Sequence, residues 1–432
     1  MILIKNKFIK SSLILIIGGA LTKLFGFFIR IYFTRIIGQD GIDIYAIIMP
    51  TFSLLIAIAQ LGFPIAISHI IAKGEKRGKN VILSVIPISI ILNIILISLT
   101  IISAHYLSHN LLHEPRAEIP LICLSLVLPF ISISSIIRGY FFGKQQMVPH
   151  TLSNIIEQVV KLIVILFLLP YLLKYGTIVA VSGFVLINIF SEIISIIIFL
   201  LFLPKNFTIS KEDIKPDLGT IKEVLEVGIP SVGSRIIGNI GFFLEPIILT
   251  YIMMFVGYQS SYIVSQYAVY NTYVIGLLIV PTFFITALST ALIPEISKNS
   301  HNKIKVKKLF KKVMVLSLIL GIVANAFLFF SAEYILKIIF NTTKGVTYIK
   351  VLAPFFVFYY LEAPMASTLQ ALGYAKYQVR ITAIGIIIKL SMIVLLSLFK
   401  IGIYCLIFAE VIFILIVVLL NYLKIKKILR SS

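Results

Sequence analysis

Apolar residues run along this chain in long blocks separated by short polar connections. A helix needs about 20 mostly apolar residues to cross the hydrocarbon core of a bilayer, and twelve stretches meet that length. The first six are predicted near Ser12 to Ile36, Ile42 to Ile71, Val81 to Ser103, Ile119 to Phe142, Leu152 to Tyr175 and Thr177 to Leu203. A polar interval, KNFTISKEDIKPDLGTIKEVLE, follows. Six more are predicted near Val227 to Val256, Ile263 to Pro294, Leu309 to Ser331, Thr347 to Leu372, Tyr377 to Leu398 and Gly402 to Leu423.

The polar connections carry the basic residues unevenly. With the N-terminus inside, and with Arg138, Lys174, Lys311, Lys312, Lys350 and Arg380 at span ends counted with the adjoining connections, 26 of the 38 Lys and Arg fall in inner segments and six in outer ones. The remaining six, Lys23, Arg30, Arg35, Lys161, Arg235 and Lys389, fall within spans. An even number of spans with both ends in the cytoplasm satisfies the positive-inside rule. The net charge of +21 is therefore topological, and the run KNSHNKIKVKKLFKK reads as an anchor beside anionic lipid. No nucleic-acid partner is expected. The basic, apolar start imitates a secretory signal, but apolar sequence resumes directly after Lys23, so it is read as the first span.

Composition agrees: 59% of residues are hydrophobic and only 13% charged, against about 25% charged in soluble domains. Cys123 and Cys405 lie far apart in apolar runs and offer no disulfide framework. His105, His109 and His113 recur at four-residue spacing in an outer loop, but no cysteine or carboxylate set accompanies them and no metal site is assigned. There is no P-loop, H-E-x-x-H or G-x-S-x-G motif and no large soluble domain. The chain is thus expected to be no enzyme, to have no catalytic residues and to need no cofactor.

The two halves echo each other. TKLFG at 22–26 and SRIIG at 234–238 both read hydroxyl, cation, two apolar residues, glycine. GKQQMVPHTLSNIIEQVVKL at 143–162 resembles GYAKYQVRITAIGIIIKL at 373–390, making Lys389 the counterpart of Lys161. Each matched pair is six spans apart, so equivalent helices run in the same direction. The expected fold is an all-α polytopic membrane protein of about twelve transmembrane helices. Residues 1–203 form an N-terminal six-helix lobe, 204–226 a cytoplasmic linker and 227–432 a C-terminal six-helix lobe. A pseudo-two-fold axis along the membrane normal relates the lobes.

A cation at the centre of a span costs about 2.5–3.5 kcal/mol on insertion scales, so those inside spans need a reason. Lys23 and Arg30 are seven residues apart and share a helix face. Arg35 lies near the outer boundary, where it can snorkel. Lys23, Arg30 and Arg235 are candidates to line a central cavity that holds an anionic group such as a phosphate; intramembrane ion pairing is the alternative. Glu157 and Lys161, four apart on one helix, form a candidate intramembrane pair. Glu245, with no cation near it in sequence, is a candidate proton or sodium site, again with pairing as the alternative.

Three stretches carry a resemblance. They are GFFIRIYFTRIIGQDGIDIYAIIMP, QLGFPIAISHIIA and RGYFFGKQQMVPHTLSNIIEQVVK. They resemble the stage V sporulation protein B-like, polysaccharide-biosynthesis branch of the MATE/MOP flippase superfamily. The family pattern falls here on Gly41 to Tyr45, on Leu61 through Pro64 to Ser68, and on Arg138, Gly139, Tyr140, Phe141, Gly143, Met147 and Pro149. The likeness is specific over about the first 160 residues. It implies a V-shaped pair of bundles moving lipid-linked sugars across the bacterial cytoplasmic membrane by alternating access. The related lipid II flippases look similar but carry fourteen spans, and line their cavity with cations from the first, second and eighth. Here Lys23 and Arg30 match the first-span cations, whereas the eighth span has none and Arg235 lies in the seventh. Phe142 and His69 stand where the family often has glutamine and lysine.

The expected function is export of an undecaprenyl-pyrophosphate-linked oligosaccharide or peptidoglycan precursor by a monomer, with a coupling ion (Na+ or H+) or the membrane potential as the drive. A cation-coupled multidrug exporter of the same superfamily is the alternative. A membrane glycan-processing enzyme or scaffold is a third.

Overall fold

The computed structural model describes residues 2–74, 78–204 and 217–430. Among them the secondary structure is helical, with no strand. The chain divides into two compact units, residues 1–239 and 240–432. Most of the linker expected over 204–226 lies outside the described residues.

In the first unit α1 (Ile2–Gln60), α2 (Phe63–Lys73), α3 (Gly78–Tyr106), α4 (Glu118–Gly143), α5 (Met147–Leu173) and α6 (Thr177–Leu201) are followed by α7 (Leu218–Ser231). The helix α4 is central, packing on α1, α2, α3 and α6, and α5 packs on α1 and α6. Phe63, Ile67, Val81, Ile136, Phe141, Phe199 and Val224 share one buried core. Small polar residues let these helices approach closely. Asn93 Nδ2 donates to Ser132 Oγ at 3.0 Å, and Ser153 and Ser195 share a hydroxyl hydrogen bond at 2.5 Å. Lipid tails are as apolar as leucine, so such contacts supply association that hydrophobicity alone does not.

The second unit takes up α8 (Gly233–Phe255) at its residue 240. It continues through α9 (Ser260–Ala268), α10 (Gly276–Ile279), α11 (Thr282–Lys298), α12 (Lys303–Phe340), α13 (Val346–Ala371), α14 (Ala375–Ser397) and α15 (Tyr404–Arg430). Here α13 is central, packing on α11, α12 and α15. Large apolar side chains such as Phe330 on α12 and Ile102 on α3 are exposed at 85% and 80%, as a surface solvated by lipid permits.

Among the described residues, ten helices are long and apolar enough to cross a membrane, or eleven if the bent pair Ser260–Ile279 and Thr282–Lys298 is one span. Twelve were expected, and the difference lies in two places. The run Gly18–Lys73 counts once although it has 56 residues, about 84 Å of helix against a hydrocarbon core of about 30 Å. It is broken at Gly38 (φ 70°, ψ −175°), a conformation open essentially only to glycine. That break separates the first two predicted spans. The eighth predicted span is bent by 54° at Val280–Pro281, where proline lacks the N–H that would continue the ladder. The seventh starts later than predicted: Val227 belongs to α7, which ends beyond Pro230, and the crossing itself is Gly233–Phe255.

One backbone crossing is tight enough to exclude side chains. Gly62 holds φ 72° between α1 and α2, and a Cβ there would lie 2.9 Å from the Gly228 Cα on α7. Gly74 also has positive φ (77°), but an added Cβ meets nothing within 4 Å. Alanine at either position pays about 1–2 kcal/mol for the left-handed backbone; only at position 62 does it also overlap backbone. Gly62→Ala should therefore lower the unfolding temperature clearly more than Gly74→Ala. Melting followed by a thiol-reactive dye on Cys123 and Cys405 checks this, and equal shifts contradict it.

Candidate functional site

Three helices of the second unit bring their charged residues together inside the bundle. Lys389 on α14 extends its ammonium to Glu245 on α8 and to Glu410 on α15, 2.5 Å from the latter's Oε2. The side chains are 15%, 4% and 10% exposed. Glu245 thus has a cation partner, contrary to its sequence neighbourhood, which offers none. The contact comes from a helix about 140 residues further along the chain.

The local sequence explains how the three meet. Gly241, one turn before Glu245, faces Ile386, one turn before Lys389. A Cβ on Gly241 would lie 2.9 Å from two Ile386 side-chain carbons, so glycine is what lets α8 approach α14. Lys389 and Glu410 sit on the last two helices, eleven residues before and ten after Lys400 in the turn, and so at the same depth. A π-helical stretch, Val269–Ile275, interrupts the α8–α11 segment. It carries Tyr270, whose hydroxyl hydrogen-bonds Glu410, and follows Tyr267, whose hydroxyl lies in the field of Glu245. Extra-residue turns of this kind commonly re-aim side chains at functional positions. Glu362 on α13 completes the acidic surroundings within range of Glu410 and lines a cavity of about 180 Å³ with Thr282, Thr286 and Tyr359.

The first unit contains a matching feature with a different charge balance. Lys161 on α5 donates to Asn188 Oδ1 on α6 at 2.6 Å and stands 5.5 Å over the Phe184 ring. Lys389 stands 5.8 Å over the Phe413 ring of α15. In each unit, then, a lysine on one helix meets a phenylalanine of the next. Glu157 and Glu192 act on Lys161 and on Arg138, two carboxylates for two cations. In the second unit Glu245 and Glu410 share one ammonium. The difference of one charge follows directly from the residues.

The predicted cavity cations are all in the first unit. Lys23 is exposed and Arg30 is half-buried, with Tyr45 in its field. Arg35 is exposed, near the Gly38 break. Arg235 is exposed, and its Nη2 donates to Gln60 Oε1 at the end of α1 (2.8 Å). The sequence alone assigned no pairing role to Arg138, Tyr267 or Tyr270. Equal depth on either side of a short turn would have paired Lys389 with Glu410 and Lys161 with Asn188. No spacing rule would have joined Glu245 to Lys389.

Comparison with known proteins places this arrangement in context. The model of the family described as polysaccharide biosynthesis protein matches residues 8–300, and the MatE family model matches residues 239–395. Stage V sporulation protein B of Bacillus subtilis is 33% identical over 405 residues, covering 91% of this chain and 78% of that protein. The lipid II flippase MurJ of the same organism is 24% identical over 193 residues, 41% of this chain and 36% of that one. Among solved structures, the inward-facing conformation of a multidrug resistance MATE family transporter of the MOP superfamily aligns with a TM-score of 0.76. It shares 17% identity and covers 95% of this chain and 96% of that one. At that identity the likeness is one of fold.

Removing one partner of a buried ion pair costs about 3–5 kcal/mol, because the other charge stays buried without compensation. Lys389→Met leaves two carboxylates facing each other and should destabilise the protein by that amount. Glu410→Gln leaves one carboxylate on the ammonium and should cost much less. Thermal melting in detergent should rank them so, with Glu245→Gln partly restoring the Lys389→Met variant; the opposite ranking contradicts this assignment.

Proposed function

Because the chain belongs to the polysaccharide biosynthesis protein family, we propose that it is an alternating-access flippase. It moves an oligosaccharide or peptidoglycan precursor, linked to a lipid of the undecaprenyl-pyrophosphate type, across the bacterial cytoplasmic membrane. Both termini lie in the cytoplasm, the working form is a monomer, and Na+, H+ or the membrane potential drives the cycle.

The observation that carries this reading is the set of cations on the apolar helices of the first unit. Lys23 and Arg235 are exposed side chains on helices long and apolar enough to span. Each would cost about 2.5–3.5 kcal/mol in hydrocarbon, so their retention favours a hydrated path for anionic cargo. A guanidinium and an ammonium suit a pyrophosphate, the first through paired N–H donors and the second as a point charge. Glu245 and Glu410, one negative charge in excess over Lys389, provide a binding place for the coupling cation or proton. Of the relatives named above, MurJ is a lipid II flippase, which supports transport over glycan-processing chemistry. The MatE match over 239–395 favours one second reading, cation-coupled drug export.

Lys23→Ala and Arg235→Ala, in protein that remains monodisperse, should each slow flipping of a fluorescent pyrophosphate-linked oligosaccharide lipid in proteoliposomes. Losing one charge-assisted hydrogen bond, about 1.5–3 kcal/mol, corresponds to roughly 10- to 100-fold. Unchanged rates in both variants refute the role of these cations. Drug efflux that depends on a Na+ or proton gradient, without lipid flipping, establishes the second reading instead.

A further inference from the structure

The connection between α3 and α4 gathers ligating side chains that the transport reading does not use. α3 ends at Tyr106 and passes into a π-helical turn, Leu107–Leu111, closed by the Leu112 N–H donating to the Leu107 carbonyl at 2.9 Å. The chain then makes a short 3-10 turn, Pro115–Ala117, and enters α4 at Glu118. This geometry stacks the rings of His105 and His109, with centroids 4.1 Å apart, and turns both toward one carboxylate oxygen. Glu118 Oε2 lies 3.2 Å from His105 Nδ1 and 3.6 Å from His109 Nδ1. The ligand atoms of all three residues lie within 4.8 Å of one another.

Those separations have a chemical meaning. A tetrahedral zinc centre with Zn–N and Zn–O bonds of about 2.0–2.1 Å places neighbouring ligand atoms about 3.3 Å apart. The two measured His–Glu distances bracket that edge. Two imidazoles and one carboxylate are a recurring zinc ligand set that leaves a fourth position for water, whereas calcium and magnesium call for oxygen donors throughout. The other carboxylate of the connection, Glu114, is held by Arg116 through contacts of 2.7 and 2.9 Å, so the cluster draws on Glu118. Ser108 Oγ, 3.0 Å from His109 Nδ1, and the His105 carbonyl, 3.2 Å away, contact the same ring nitrogen, and an ion would take that nitrogen over from them. The side chain of His105 is 69% exposed, which gives an ion access from solvent.

We propose that His105, His109 and Glu118 form a binding site for one zinc-class divalent cation that clamps the end of α3 to the start of α4. The four-residue histidine spacing in the sequence points to His113 as the third member; the fold supplies Glu118 instead. The carboxylate that the local sequence lacks is thus provided by the turn into the next helix.

The test uses the full-length protein in detergent, carrying an affinity tag without histidine and stripped with chelator. Co2+ is titrated as a spectroscopic stand-in, followed by displacement with Zn2+. The expected result is one equivalent of Co2+ with the visible bands of a tetrahedral site. Binding should weaken by more than about 10-fold in His109→Ala and in Glu118→Gln, since even outer-shell changes cost about 10–100-fold. It should be unchanged in His301→Ala. Zn2+ should raise the melting temperature of the parent protein but not of the two ligand variants. Glu118→Gln keeps the shape of the side chain, so the test does not depend on a variant that fails to fold. Absence of a tetrahedral Co2+ spectrum in the parent protein, or equal affinity in the parent and both ligand variants, overturns the proposal.

Discussion

The ammonium of Lys389 lies against the carboxylates of Glu245 and Glu410, and this contact ties α8, α14 and α15 together inside an apolar bundle. Hydrocarbon offers a charge nothing, so each ion inside a span must be met by a counter-charge, a hydrogen bond or water. The helices of the second unit are therefore held in register by more than packing. Gly241 allows the approach, the two carboxylates hold the lysine, and the π-helical turn at Val269–Ile275 brings the Tyr270 hydroxyl to Glu410. The first unit meets the same demand differently, with Lys161 bonded to Asn188 and with Arg138 and Lys161 set against Glu157 and Glu192.

How far this was legible in the sequence depended on the range of the interaction. Crossing helices were readable because burial in lipid requires a long apolar run. The two places where the count of crossings departs from twelve are backbone events. The break at Gly38 falls in the polar stretch GQDG between the first two predicted spans, whereas Pro281 shows that a bend is permitted without showing its angle. The equivalence of Lys161 and Lys389 was visible as a repeat, and each lysine stands over a phenylalanine of the next helix. Glu245 was singled out for its lack of a nearby cation, and its partner was hidden because α8 and α14 are far apart in the chain. The Glu118 carboxylate was overlooked for a related reason. It is only nine residues beyond His109, but a π turn and a 3-10 turn together set its direction, and no simple helical period describes that path.

The two units divide the chemistry of the proposed transport. Cations on the first, Lys23, Arg30 and Arg235, suit an anionic head group, while the excess of carboxylate on the second, around one lysine, suits a coupling cation. A drug exporter built on the same fold would be expected to meet cationic cargo with acidic residues, whereas the first unit of this chain carries Lys23, Arg30 and Arg235 on its apolar helices. Charge placement thus separates the two readings where fold does not, since the fold is shared with MATE transporters at 17% identity.

The central claim is that the cations of the first unit recognise a pyrophosphate-linked lipid. Native mass spectrometry of the purified protein offered undecaprenyl pyrophosphate and uncharged undecaprenol in competition addresses it directly. The account predicts preferential retention of the pyrophosphate lipid, with the preference abolished when Lys23 and Arg235 are both replaced by alanine. Equal retention of the charged and uncharged lipids, or a preference that survives the double replacement, would contradict it.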